Sequence, residues 1–185
     1  MDPKELAKVV EACKKGSRKA KARLYKAYAP LLLGICLRYA GSKSEAEDIL
    51  HEGFIKIYTK IEQTGKGSFE AWMKQVIKNE ALQLIRKQVS KRNKHEKFEY
   101  ESQYDAMEES DDLPLNGISA KKILEMIQSL PQGYRLVFNL FVFEEKGHKE
   151  IADILSISEN TSKSQFHRAR KQLQTQVKLY QEQNR

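Results

Sequence analysis

Apolar residues recur at spacings of three and four along most of the chain, and breaks rich in Gly, Pro and Ser cut that pattern into helix-length pieces. Leu6, Val9, Val10 and Cys13 share one face of a first predicted helix, opened by Pro3 and closed by Lys15 and Gly16. Ser17 caps a second helix with Ala20, Leu24, Tyr28, Leu31 and Ile35 inward; Pro30 predicts a kink or interruption in it, and Gly41 ends it. Ser42 or Ser44 opens a third, striped by Ala46, Leu50, Phe54, Ile57 and Ile61. After the break "TGKG" a fourth runs from about Ser68 to Lys87, with Met73, Ile77 and Leu84 inward. Further on, Ile118 to Leu130 predicts a helix, Pro131 starts the next, and Gly147 ends it. "RLVFNLFVF" would suit a buried strand by composition, but it lies between helical signals and lacks pairing partners. The chain is therefore expected to be all-α.

"HKEIADILSISENTSKSQFHRARK" reads as a short helix to Leu155, a turn at Ser156, Ile157 and Ser158, and a longer helix from Glu159. Steps of 100° put Ser162, Phe166, Ala169 and Leu173 on the inner side of the last helix. Asn160, Thr161, Ser164, His167, Arg168 and Lys171 fall opposite, flanked by Lys163 and Gln165. Amides, hydroxyls and cations of this kind bond base edges and phosphates in a major groove, so the pair reads as a helix-turn-helix. The plainer reading is an αα-hairpin with a solvated face. The end, "QTQVKLYQEQNR", is expected to be fraying helix or tail.

Charge divides the chain more sharply than periodicity does. The net charge of +8 over 185 residues splits into +11 for residues 1–97, −7 for 98–117 and +4 for 118–185. The acidic stretch has a Pro, a Gly and no sustained helical period, so it is expected to be a flexible linker between two small basic helical domains, the second of four helices. A basic excess suits an anionic partner such as nucleic acid. No apolar run is long enough to span a membrane and no signal pattern opens the chain, so a cytoplasmic location without membrane insertion is expected. Cys13 and Cys36 lack metal-ligand spacing and read as reduced core thiols.

Two surfaces of the first domain call for a task. Asp48, Glu52, Ile55 and Thr59 lie opposite the core stripe of the third helix, with His51 and Lys56 beside them, and Ile55 is apolar on a polar face. On the fourth, Trp72, Asn79, Gln83 and Arg86 share a stripe that could stack on and bond unpaired bases. On spacing alone, Trp72 as a half-buried core edge stands level with that reading. Glu80 falls near the inner side without an assignable partner.

Taken in order, these stretches resemble the extracytoplasmic-function sigma factors of bacterial RNA polymerase. "SEAEDILHEGFIKIYTKI" is similar to the family's second conserved region, "GSFEAWMKQVIKNEALQLIRKQ" to its continuation, and "LPQGYRLVFNLFVFEEKGHKEIADILSISENTSKSQFHRARKQL" to the fourth region. The resemblance implies that residues 1–97 bind core polymerase and open the minus-ten element, and that 118–185 read the minus-thirty-five element. It implies a docking set of Asp48, His51, Glu52, Phe54, Ile55 and Lys56 against the clamp helices. For minus-ten DNA it implies Lys66, Ser68, Phe69, Trp72, Lys78, Asn79, Gln83, Arg86 and Lys87, with the loop from Thr64 to Ser68 holding a flipped base. For the minus-thirty-five duplex it implies Asn160, Thr161, Lys163, Ser164, Gln165, His167, Arg168 and Lys171. The polymerase flap and an anti-sigma protein are further candidate partners, the acidic linker would enter the polymerase's basic cleft, and no cofactor or metal is implied. The chain departs from the family pattern with His51 for Gln, Gln83 for Asp or Asn, Asn160 for Gly and Gln165 for Arg.

Two other classes compete. A stand-alone helix-turn-helix regulator would explain the second domain but leave the third and fourth helices without a role. A helical metal enzyme could use Asp48 with His51 or Glu145 with His148, yet it would need further inward carboxylates that the pattern does not supply. His148 and His95 are expected to be solvated.

Overall fold

A computed structural model describes residues 1–64, 67–93 and 117–184, without the side chains of 86 and 88–93. The described residues contain helices and no strand. The chain divides into two compact units, Met1–Gln88 and Val89–Arg185.

In the first unit α1 (Pro3–Lys14), α2 (Arg18–Tyr39), α3 (Lys43–Lys60), a 3-10 turn (Ile61–Gln63) and the start of α4 (Phe69–Asn93) pack together. Their ends carry the capping groups that free N–H groups require: Asp2, Ser17 and Ser42 each accept from a backbone N–H three residues on. Ser42, rather than Ser44, opens α3. Pro30 does not interrupt α2. It lies on the exposed side, where water can satisfy the carbonyl that its missing N–H leaves. Leu31 is 44% exposed and Leu32 0%, because both fall within helical reach of Tyr28 and the inward row continues through Leu32, Ile35, Cys36 and Tyr39. Both thiols are buried and free. Burial raises that of Cys13 and pushes that of Cys36 up to about 12, so neither is a ready nucleophile.

Helix α4 outruns its expected end at Lys87. Its buried row is Met73, Ile77, Ala81 and Ile85, with Leu84 only half-buried. It meets α3 at Gly53, where an added Cβ would stand 2.2 Å from Ile77 Cδ1. The helices approach this closely because position 53 carries no side chain.

In the second unit α5 (Ala120–Gln128), α6 (Gln132–Val142), α7 (His148–Leu155) and α8 (Glu159–Gln183) enclose a core of Ile118, Met126, Ile127, Leu130, Phe138, Ala169, Leu173 and Val177. Buried Arg135 donates to the carbonyls of Gln128 (2.9 Å) and Leu130 (3.1 Å), satisfying oxygens at the end of α5. The chain's last segment is neither fraying nor a tail up to Gln183. Val177 is 1% exposed, Tyr180 packs on the same core, and Gln176 Nε2 donates to Ser129 Oγ at 2.9 Å. Its polar residues outnumber its apolar ones, but Val177 continues the inward row of Leu173.

Gly53→Val should destabilise the first unit by about 1–3 kcal/mol through overpacking against Ile77. Val177→Ala should cost the second on the order of 2 kcal/mol for two lost methyl groups and the space they leave. Denaturant unfolding followed by circular dichroism checks both.

Candidate nucleic-acid interface

The exposed side of α4 starts from a capped end. Ser68 Oγ accepts from the Ala71 N–H at 3.3 Å, so this hydroxyl fixes where the helix begins. One turn on, the half-buried rings of Phe69 and Trp72 lie 5.5 Å apart between centroids, tilted by 35°. Asn79, Gln83 and Lys87 follow on the exposed side, with Lys78 half-buried beside them. Gln75 Nε2 donates to Asn79 Oδ1 at 2.9 Å. The stripe thus offers aromatic rings, amides and a cation along one edge, the components of a platform for unpaired bases. Lys66 and the Arg86 side chain lie outside the described residues.

The outer face of α3 is built differently. Asp48, His51, Glu52 and Ile55 are exposed, Ile55 at 44%. Phe54, expected among them, is 2% exposed and packs against Tyr25 (centroids 4.6 Å) and Tyr58 (5.7 Å). It supports the face from below, since its place in the core stripe turns its ring inward. Lys56 is turned to α4, where it pairs with the buried carboxylate of Glu80 and donates to Gln83 Oε1 at 2.8 Å. The pair with Glu80 is ionic, without a directed hydrogen bond at Oε2. The sequence signal for this link was Glu80 itself, a carboxylate on the inner side of a helix.

In the second unit, Ser156 takes the left-handed conformation (φ 55°) to end α7, and Ser158 caps α8 by accepting from the Thr161 N–H at 3.0 Å. α8 is held down by Ser162, Ala169 and Leu173, all buried, and by Phe166. Asn160, His167 and Lys171 are exposed, while Thr161, Lys163, Ser164 and Arg168 are half-buried. Part of the expected reading face is engaged within the unit. Thr161 Oγ1 meets Ser158 Oγ at 2.8 Å, Ser164 Oγ donates to the Thr161 carbonyl at 3.0 Å, and Lys163 pairs with Glu159 at 2.7 Å. Gln165 rests its amide over Gly133, where a Cβ would meet its Oε1 at 3.0 Å; its head therefore packs on α6 rather than facing outward. Arg168 Nη1 reaches Tyr134 Oη at 3.5 Å.

The His148 ring is half-buried rather than fully solvated. Its Nδ1 lies 2.9 Å from Ser162 Oγ, and its ring stacks on Phe141 (4.8 Å) and meets the edge of Phe166 (5.7 Å). Among the described residues no group of three or more His, Cys, Asp or Glu side chains is placed to hold a metal ion.

Comparison with known proteins decides the family. Residues 24–91 match the family model of sigma-70 region 2, and residues 120–173 match that of sigma-70 region 4. The chain belongs to the extracytoplasmic-function sigma factors. It is 28% identical over 181 residues to the sigma factor SigW of Bacillus subtilis, covering 94% of this chain and 97% of that one. To the sigma-E factor of Haemophilus influenzae it is 26% identical over 178 residues, covering 91% and 93%. Among solved structures it is similar to the sigma factor RpoE of Bartonella quintana in complex with the anti-sigma factor NepR, at 21% identity and a TM-score of 0.46, covering 85% of this chain and 96% of that one. This sigma factor is a transcription initiation factor that directs RNA polymerase to promoters. Among its described residues no helix is long and apolar enough to cross a membrane.

Burial holds the His148 imidazole below its ordinary value of 6.5; Lys163 adds to this and Glu159 opposes it. The unfolded chain takes up the proton before the folded one does. The stability lent by the neutral ring is therefore complete above 6.5 and is lost as pH falls through the folded value. Proton NMR titration should find the His148 ring with a midpoint below 6.5. His148→Asn should flatten the loss of thermal stability between about pH 7 and pH 5.

Proposed function

We propose that this sigma factor divides promoter recognition between its two units in the cytoplasm. The outer face of α3, with Asp48, His51, Glu52 and Ile55, docks on the clamp helices of core polymerase. The stripe of α4 then receives the minus-ten strand: Phe69 and Trp72 stack on an unpaired base, Asn79 and Gln83 bond base edges, and Lys78 and Lys87 balance the phosphates. α8 enters the major groove of the minus-thirty-five duplex, led by Asn160, His167, Arg168 and Lys171, with Thr161, Lys163 and Ser164 at its edge. The acidic segment of residues 98–117 complements a basic channel in the polymerase, and an anti-sigma protein is the kind of regulator such a factor meets.

The observation that carries this reading is the two-sidedness of α4. Met73, Ile77, Ala81 and Ile85 bury one side, while a ring pair, two amides and a lysine occupy another. A stand-alone repressor has no use for that second side, and duplex DNA offers its rings nothing to stack on.

Transcription by core polymerase plus the sigma factor, on promoters mapped from genomic DNA, tests the division. Arg168→Ala with Asn160→Ala should weaken promoter binding roughly 10-fold or more while leaving core affinity near the parent's. Glu52→Ala with Ile55→Ala should do the reverse. Interchanged or absent effects would contradict the assigned faces.

A further inference from the structure

The pairing of Lys56 with α4 carries chemical information. An ammonium only donates hydrogen bonds, so the Gln83 atom that lies 2.8 Å from Lys56 Nζ is the amide oxygen. Which way a glutamine amide points is ordinarily open, but a cationic partner closes the question. With Oε1 engaged by Lys56 on an exposed side chain, the Nε2 group, which only donates, is the amide end left for a further partner. Lys56 is itself held: the Glu80 carboxylate, 5% exposed, pairs with it from the inner side of α4. A buried carboxylate is costly unless compensated, which ties the ammonium to this place. The Lys56 side chain, 36% exposed, thus bridges the inside of the unit to the α4 stripe.

We propose that Lys56 is a positioning residue for promoter specificity, fixing the Gln83 amide so that position 83 presents hydrogen-bond donors to an unpaired base of the minus-ten strand. This rests on the assignment of the α4 stripe to that strand. The base favoured there is one that turns an acceptor edge, a carbonyl or ring nitrogen, to the stripe; an exocyclic amino group in that place is disfavoured because donor meets donor. Glu80 acts one step further back, by holding Lys56.

The test compares promoters that carry each of the four bases at every minus-ten position in turn, transcribed with core polymerase at saturation so that the ratios do not depend on docking affinity. Gln83→Glu keeps an acceptor for Lys56 but removes the donors. It should shift the preference at one position toward a base bearing an amino group, changing the ratio there roughly 3- to 10-fold. Lys56→Met combined with Glu80→Gln, which leaves no buried lone charge, should relax preference at that same position. Lys56→Arg, which keeps a cation beside Glu80 and a donor for Gln83, should keep it within about twofold of the parent. A role in folding alone would not move one base position selectively, and Gln83→Glu serves by itself if the double variant does not fold. Unchanged ratios in both Gln83→Glu and the double variant, with Trp72→Ala and Asn79→Ala still altering minus-ten preference, would overturn the positioning role alone. Unchanged ratios in all of them would overturn the assignment of the α4 stripe, and this proposal with it.

Discussion

The first unit depends on the close approach of α3 and α4 at Gly53. The missing side chain at position 53 lets Ile77 seat directly against α3, so a narrow strip of α4 suffices for packing. That seat holds the buried row of Met73, Ile77, Ala81 and Ile85 and leaves the Trp72 to Lys87 side to another task. It also brings Lys56 within reach of Glu80 and Gln83, so the same contact that fixes the packing connects the face of one helix to the stripe of the next.

The second unit meets the same demand with different means. α8 is anchored by small or apolar residues, Ser162, Ala169, Leu173 and Val177, and its inner side is wedged by Phe166 against Phe138 and Phe141. The His148 ring completes that aromatic group and reaches Ser162 across the turn. The turn between α7 and α8 is thereby fixed at both ends, by the left-handed Ser156 and by the Ser158 cap. The orientation of α8 is set by the residues beneath it, and most of them are uncharged.

The helices were legible because three- and four-residue spacing and capping residues agree along the chain, as at Ser17, Ser42 and Ser158. Ambiguity arose where two neighbours fit one spacing: Leu31 and Leu32 both follow Tyr28 by a helical turn, and only the packing of α1 and α3 on α2 chooses between them. The far end of α8 is hard to read from sequence because Val177 and Tyr180 are diluted by glutamines, yet one buried residue per turn suffices when Ser129 and Gln176 also join. At the candidate site the residue types were readable, but the direction of a long side chain was not. Lys56, Gln165 and Arg168 each had solvent and a neighbour to choose from, and each turned to the neighbour. His148 differs: its partners Phe141 and Ser162 lie on other helices, so no pattern local to α7 could have revealed its partial burial.

In the proposed division one unit meets unpaired DNA while the other meets duplex, and only in the company of core polymerase. Permanganate probing combined with footprinting on a mapped promoter measures both at once. The prediction is reactive thymines confined to the minus-ten element and protection of the minus-thirty-five duplex, both requiring core enzyme and sigma factor together, with Trp72→Ala abolishing the reactivity before the protection. Protection of duplex DNA by the isolated chain, with no reactive thymines when core is added, would contradict it.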